Sequence, residues 1–263
     1  MDPLAAPALR RRVPWRDLVP MRPRDGLVEC LHPLPWLAAS WWSAAHHLWP
    51  LAGAASFMFF LTALRLNHEA IHGSLGFGRA GHGAVLHGLS ALMIGSNNAV
   101  AYNHLQHHRH LGRPEDVEGK AGRMSGWRVL AYGPLFPIEM HARAWGHGGR
   151  AVRRRMAIDA GLNLLVPIAA AWHPAARYHL AAMLAAQCLT AFFAVWITHR
   201  GLGEHDLAAR TQRSRWINRA SYSMLFHLEH HLFPAVPVKR LARLAERIDA
   251  AGPELAASAR RVI

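Results

Sequence analysis

The sequence predicts an all-α, integral-membrane chain with about four transmembrane helices in two hairpins, a re-entrant or interfacial helix and a cytoplasmic helical cap. Three observations carry this prediction. Apolar residues make up 52% of the chain, yet mean hydropathy is only +0.04. Apolar spans must therefore alternate with very polar segments. The formal net charge is +14 with histidine neutral, and arginines flank the apolar runs, as they do at cytoplasmic membrane edges. Finally, the 20 histidines are gathered into clusters at the ends of apolar stretches.

The 263 residues read as one membrane-integral domain. Residues 1–31 are rich in proline and arginine. Arg10-Arg11-Arg12 is followed by Pro14 and Pro20 instead of an apolar core, so this segment reads as an irregular, basic cytoplasmic arm and not a signal peptide. Residues 34–66 are apolar and interrupted by His46-His47 and Pro50. They are too many for one crossing and suit a hairpin, with Trp36, Trp41, Trp42 and Trp49 available to sit at headgroup level.

Residues 84–102 are apolar but broken by Gly95-Ser96-Asn97-Asn98. In a clean crossing these residues would face hydrocarbon unsatisfied, so the segment is expected to re-enter or lie flat. Trp127–Ile138 carries Pro134 and Pro137 and reads as a broken or interfacial helix. Residues 157–198 form the second expected hairpin, divided at His173-Pro174. Residues 200–263 read as a cytoplasmic cap in which Leu241, Leu244 and Ile248 share one face of a terminal helix.

Two cysteines, Cys30 and Cys188, support neither a disulfide framework nor an iron–sulfur site. The arginines follow no nucleic-acid-binding pattern, so no nucleic-acid partner is expected. A redox reaction here would draw its electrons from another protein.

Histidine carries the chemistry. Residues 67–72, Asn-His-Glu-Ala-Ile-His, give HxxxH through His68 and His72. His104, His107 and His108 give HxxHH, and His227, His230 and His231 give it again. On a helix, positions i, i+3 and i+4 share one face, so each cluster can present its imidazoles to a common point. At this histidine content about 0.1 chance HxxHH matches are expected. Eight imidazoles suit two ions better than one, because a zinc site rarely takes more than four ligands. Imidazole suits iron, copper, nickel and zinc alike, so the ligands do not name the metal. Lone histidines such as His32, His46, His82, His173 and His179 read as interface residues.

Residues 68–72 also satisfy HExxH, the zinc-protease signature in which Glu69 would be the general base. That reading leaves both HxxHH clusters without a role. A histidine-rich metal transporter is a further alternative, but transport favours ligands near the middle of the spans.

The order HxxxH, HxxHH, HxxHH, in "NHEAIHG", "NHLQHHRHLG" and "HLEHHLFP", resembles the membrane fatty-acid desaturase and hydroxylase superfamily over residues 34–237. The resemblance implies a di-iron centre held by the eight box histidines and O2 as co-substrate. It also implies a fatty-acyl or lipid-like substrate that gains a double bond, with hydroxylation or ketolation as the alternative outcomes. His199 occupies the place of a further ligand at the end of the last transmembrane helix. Val195 stands where the family pattern often has Asn.

All boxes must share one membrane face, which an even number of crossings before His68 and two more before His199 provide. The boxes and both termini are then cytoplasmic. Glu69, Asp116 and Glu229 are candidates to hold the outer nitrogens of the ligands. His110, His141 and His147 are weaker ones. A separate ferredoxin with its reductase is the expected electron donor, steered by basic segments such as Arg153-Arg154-Arg155.

Overall fold

The computed structural model describes residues 10–202, 208–252 and 262. It is all-α, as expected. The remaining residues of the arm and of the cap lie outside the described part.

The arm is more ordered than its composition suggests. Helix α1 (Pro23–Leu31) starts with Pro23, whose fixed φ suits a first helical turn. The Arg22 backbone N–H donates to the Asp25 carboxylate at 3.3 Å. Further upstream, Val13 and Leu18 are buried in the core of the cap beside Leu228, Leu241, Leu244 and Ile248. The arm thus supplies apolar surface that its proline and arginine content hides.

Helices α2 (Pro33–Ala45) and α3 (Trp49–Ile71) form the first hairpin, turning through His46 to Leu48. At 1.5 Å per residue α3 is about 35 Å long, enough for a bilayer core, whereas the 13 residues of α2 reach only about 20 Å. Helices α4 (Arg79–Met93) and α5 (Asn97–His110) are separated by the expected polar break, in which Ile94 takes a left-handed conformation at φ 55°. Then come α6 (Gly126–Tyr132) and α7 (Leu135–His147).

Helices α8 (Arg150–Asn163) and α9 (Leu165–Trp172) follow with one residue between them. Pro167, which has no N–H to offer the carbonyl four residues back, lies just past that division. Helix α10 (Pro174–His199) includes a π-helical stretch, Ala191–Trp196. The cap holds α11 (Arg215–Ala220), α12 (His227–Leu232) and α13 (Leu241–Ala251).

Among the described residues two helices, α3 and α10, are long and apolar enough to cross a membrane. About four crossings were expected; α2 and the α8–α9 pair pack beside the long ones, but α2, α8 and α9 are each shorter helices. Only 17% of the apolar window of α10 is buried within the protein. Soluble chains seldom expose so long an apolar face, which therefore calls for an apolar surrounding.

The polar break is satisfied from inside the protein. Ser96 caps α5 by accepting from Ala99 N at 3.1 Å. Asp159 of α8, fully buried, accepts from Ser96 Oγ at 2.5 Å and from Asn98 Nδ2 at 3.0 Å. From α10, Gln187 Nε2 donates to Met93 O at 3.0 Å, and His179 Nε2 contacts Leu92 O at 2.7 Å. His179 and His82, read from the sequence as lone interface histidines, are both buried on backbone partners. Irregular backbone at this depth persists only where protein covers it.

Candidate metal centre

Four helix ends meet at one point. The last turn of α3 brings His68 and His72, α5 brings His104, His107 and His108, α10 ends on His199, and α12 carries His227, His230 and His231. All nine imidazoles expected at the site come together. His68, His72, His104 and His230 present nitrogens within 4.8 Å of one another, and His107, His199 and His231 form a second group of the same kind. His108 Nε2 lies 3.2 Å from that of His104 and 2.9 Å from that of His230, on the side of the first group. His227 Nε2 lies 3.0 Å from that of His199 and 3.2 Å from that of His231, on the side of the second.

These contacts fit ions better than a hydrogen-bond chain. An imidazole nitrogen offers one direction in the ring plane, either a hydrogen or a lone pair. Yet Nε2 of His104, His108, His227 and His230 each faces two others at 2.9–3.2 Å. Nitrogens about 2.0–2.1 Å from a common ion would stand about 2.9 Å apart at right angles and about 3.4 Å apart in a tetrahedron. The observed spacing lies in this range, nearer the right-angled value.

His107 gives the plainest test of fit. Its Nδ1 sits 2.8 and 2.9 Å from the two Asp116 oxygens, while its Nε2 is buried without a partner and belongs to the second group. A carboxylate behind an imidazole fixes the tautomer and leaves the far lone pair for a cation. Burial alone would lower the His107 pKa, but the Asp116 hydrogen bond together with the Glu118 and Asp116 charges outweighs it and the net shift is upward. Burial would raise Asp116, and His107 together with the backbone N–H groups of Gly119 and Gly112 reverses that to a net lowering. Burial holds His227, His230 and His231 well below the ordinary imidazole value, with neighbouring imidazoles adding to the effect. They therefore stay neutral, the form that binds metal.

Of the three carboxylates expected to back the ligands, only Asp116 touches a box histidine. Glu69 accepts from Ser74 Oγ at 2.9 Å and from Val238 N at 2.8 Å, joining α3 to the cap. Glu229 accepts from Thr211 Oγ1 at 2.7 Å and pairs with Arg213 at 2.7 Å. Glu118 was not singled out from the sequence, although it lies two residues beyond Asp116 in the same polar loop. Its Oε1 is 2.9 Å from His104 Nδ1, and its Oε2 is buried without a hydrogen-bond partner. His141 accepts from Ser96 N at 2.8 Å, whereas His147 is exposed and half-buried His110 belongs to neither imidazole group.

A cavity of about 90 Å³ opens onto the cluster, with His68, His104 and His227 in its wall and Phe60, Leu64, Val100, Phe136 and Met140 among its apolar lining. Val195 lines it too, so the position four residues before His199 offers hydrocarbon instead of a donor. The cavity is shaped for an apolar molecule brought against the imidazole groups.

Comparison with known proteins agrees with this arrangement. The family described as "Fatty acid desaturase" matches residues 34–261. A search of curated proteins finds no match.

Proposed function

The chain belongs to the fatty acid desaturase family, whose members are O2-dependent oxidoreductases, and on that premise we propose that it introduces a double bond into a fatty-acyl or lipid-like chain. The observation that carries this reading is the apolar cavity ending on two groups of buried imidazoles. Two irons held there would activate O2 for removing hydrogen from unactivated C–H bonds. In balance, one –CH2–CH2– unit, O2, two electrons and two protons give –CH=CH– and two waters.

The first iron is assigned to His68, His72, His104, His108 and His230, and the second to His107, His199, His227 and His231. The chain's own part is to hold these imidazoles neutral, to orient His107 through Asp116 and His104 through Glu118, and to exclude water from the reacting segment. The apolar walls position that segment, and a shift of about an ångström there decides between a double bond and an alcohol.

The electrons are assigned to a separate small acidic donor such as a ferredoxin, served by its reductase. Exposed Arg150, Arg154 and Arg155 offer a basic surface for it. The two crossing-length helices, with arginines at their flanks, support a multi-pass membrane protein with the histidine clusters on the cytoplasmic face. The HExxH reading is disfavoured because the Glu69 carboxylate is engaged by Ser74 and Val238 and has no contact with the imidazoles. Transport is disfavoured because the ligands sit at helix ends.

Metal analysis of the detergent-purified protein is the test, beside a His107→Ala variant and lipid profiling of expressing cells. About two irons per chain, lost in part in the variant, together with new double bonds support the proposal. New hydroxyls in place of double bonds would move the assignment to hydroxylation. A single zinc that is unchanged in the variant would overturn the oxidase reading.

A further inference from the structure

Two hollows that share side chains lie in line between the outer surface of the long helix pair and the histidine cluster. The outer one is a groove of about 200 Å³ between α3 and α10, with Gly53, Phe57, Leu61, Ala186, Leu189 and Phe193 in its walls. The inner one is the cavity over His68, His104 and His227. Phe60, Leu64 and Thr190 line both, so the two meet at a neck built from these three residues.

The groove is built for hydrocarbon. Its hydroxyls are already engaged: Ser56 Oγ lies 2.7 Å from Tyr178 OH and from Ser40 Oγ, and Thr190 Oγ1 donates to Ala186 O at 3.3 Å. No charged side chain lines it. At its far end Gly53 leaves open space, since a Cβ there would meet nothing within 4 Å. From Gly53 to His68 the helix rises about 22 Å. The groove flanks the two helices of membrane-crossing length and has Phe57 and Phe193 at its edge, 39% and 40% exposed.

We propose that the substrate is an acyl chain of a bilayer-resident lipid, which reaches the metal centre sideways through this groove and past the neck of Phe60, Leu64 and Thr190. The inference rests on the oxidase reading and adds to it the form in which substrate arrives. The chain lies between α3 and α10 with its reacting segment in the inner cavity. What separates this from ordinary lipid contact is that the groove shares three lining residues with a cavity that His68, His104 and His227 help to wall.

The test uses the iron-loaded protein in phosphatidylcholine vesicles doped with a phosphatidylcholine that carries a diazirine along one acyl chain. After illumination, adducts are mapped by peptide mass spectrometry. Adducts are expected on Val100 and Met140 of the inner cavity as well as on Phe57 and Phe193. Leu64→Trp and Thr190→Phe, which plug the neck from opposite walls, are expected to lose the inner adducts and keep the outer ones.

Adducts confined to Phe57 and Phe193 in the unmodified chain would overturn the proposal. So would inner adducts indifferent to both neck substitutions, or an inner cavity labelled only when a diazirine acyl thioester is supplied from water. Iron content is read on the same samples. Loaded chains without inner labelling overturn the side entrance and leave the oxidase standing, whereas chains that never hold iron overturn the oxidase itself.

Discussion

At the scale of single residues, the site is organised by what stands behind the imidazoles. Asp116 receives His107 Nδ1 and also the backbone N–H groups of Gly119, at 2.7 Å, and Gly112, at 3.4 Å. It is 1% exposed, so its charge is held in place by the loop that follows the second box. Replacing Asp116 by Ala is expected to weaken iron binding about 10–100-fold, read by chelator competition. Asp116→Asn keeps an acceptor without the charge and should fall between. Glu118→Gln is the matching change at His104 and should loosen the first group while leaving the second intact. Equal loss of both irons would show that the two groups act as one unit.

At the scale of elements, the second box depends on a residue far from it in sequence. Asp159 of α8 holds Ser96 and Asn98 at the start of α5, the helix that carries His104, His107 and His108. Asp159→Ala leaves these buried donors without partners, and the expected loss is about 3 kcal/mol. A lower midpoint of thermal unfolding with weakened iron retention would bear this out, and an unchanged midpoint would contradict it.

Close approach matters between α6 and α10. A Cβ at Gly133 would overlap the Cys188 carbonyl, so Gly133→Ala should push the helices apart and lower stability. The π-helical Ala191–Trp196 stretch ends two residues before Thr198-His199 completes α10, in the helix that brings that imidazole to the second group.

At the scale of the whole molecule, burying so many neutral imidazoles makes the apo fold sensitive to acid. His227, His230 and His231 have folded values below the ordinary imidazole value of about 6.5. Below that value the unfolded chain takes up protons that the folded chain refuses, so the stability present above it declines as the pH falls toward the depressed values. His107 is shifted the other way and offsets only part of this. Thermal unfolding of metal-free protein from about pH 8 to pH 5 should show a falling midpoint that bound iron counteracts. A midpoint that is flat across this range would mean that the imidazoles are more hydrated than their burial implies.

The sequence by itself determined that the chain is helical and that its histidines gather in three boxes able to hold metal. Periodicity, apolar run length and the three boxes are local properties, legible wherever they occur. The break at residues 95–98 was also legible, because four polar or small residues cannot face hydrocarbon. Tertiary structure decided the rest. The apolar runs do not show that α2 stops at 13 residues or that the α8–α9 stretch is divided after Asn163, because helix ends are set by caps and by Pro167 as well as by hydropathy. Nor does the sequence show that Val13 and Leu18 complete the core of the cap. Among the acidic residues, proximity in sequence favoured Glu69 and Glu229, but the fold turns these toward Ser74, Val238, Thr211 and Arg213 and brings Glu118 to His104 instead. A carboxylate can serve only the partners that packing places within about 3 Å of it, and that choice is made by chain segments distant from the motif.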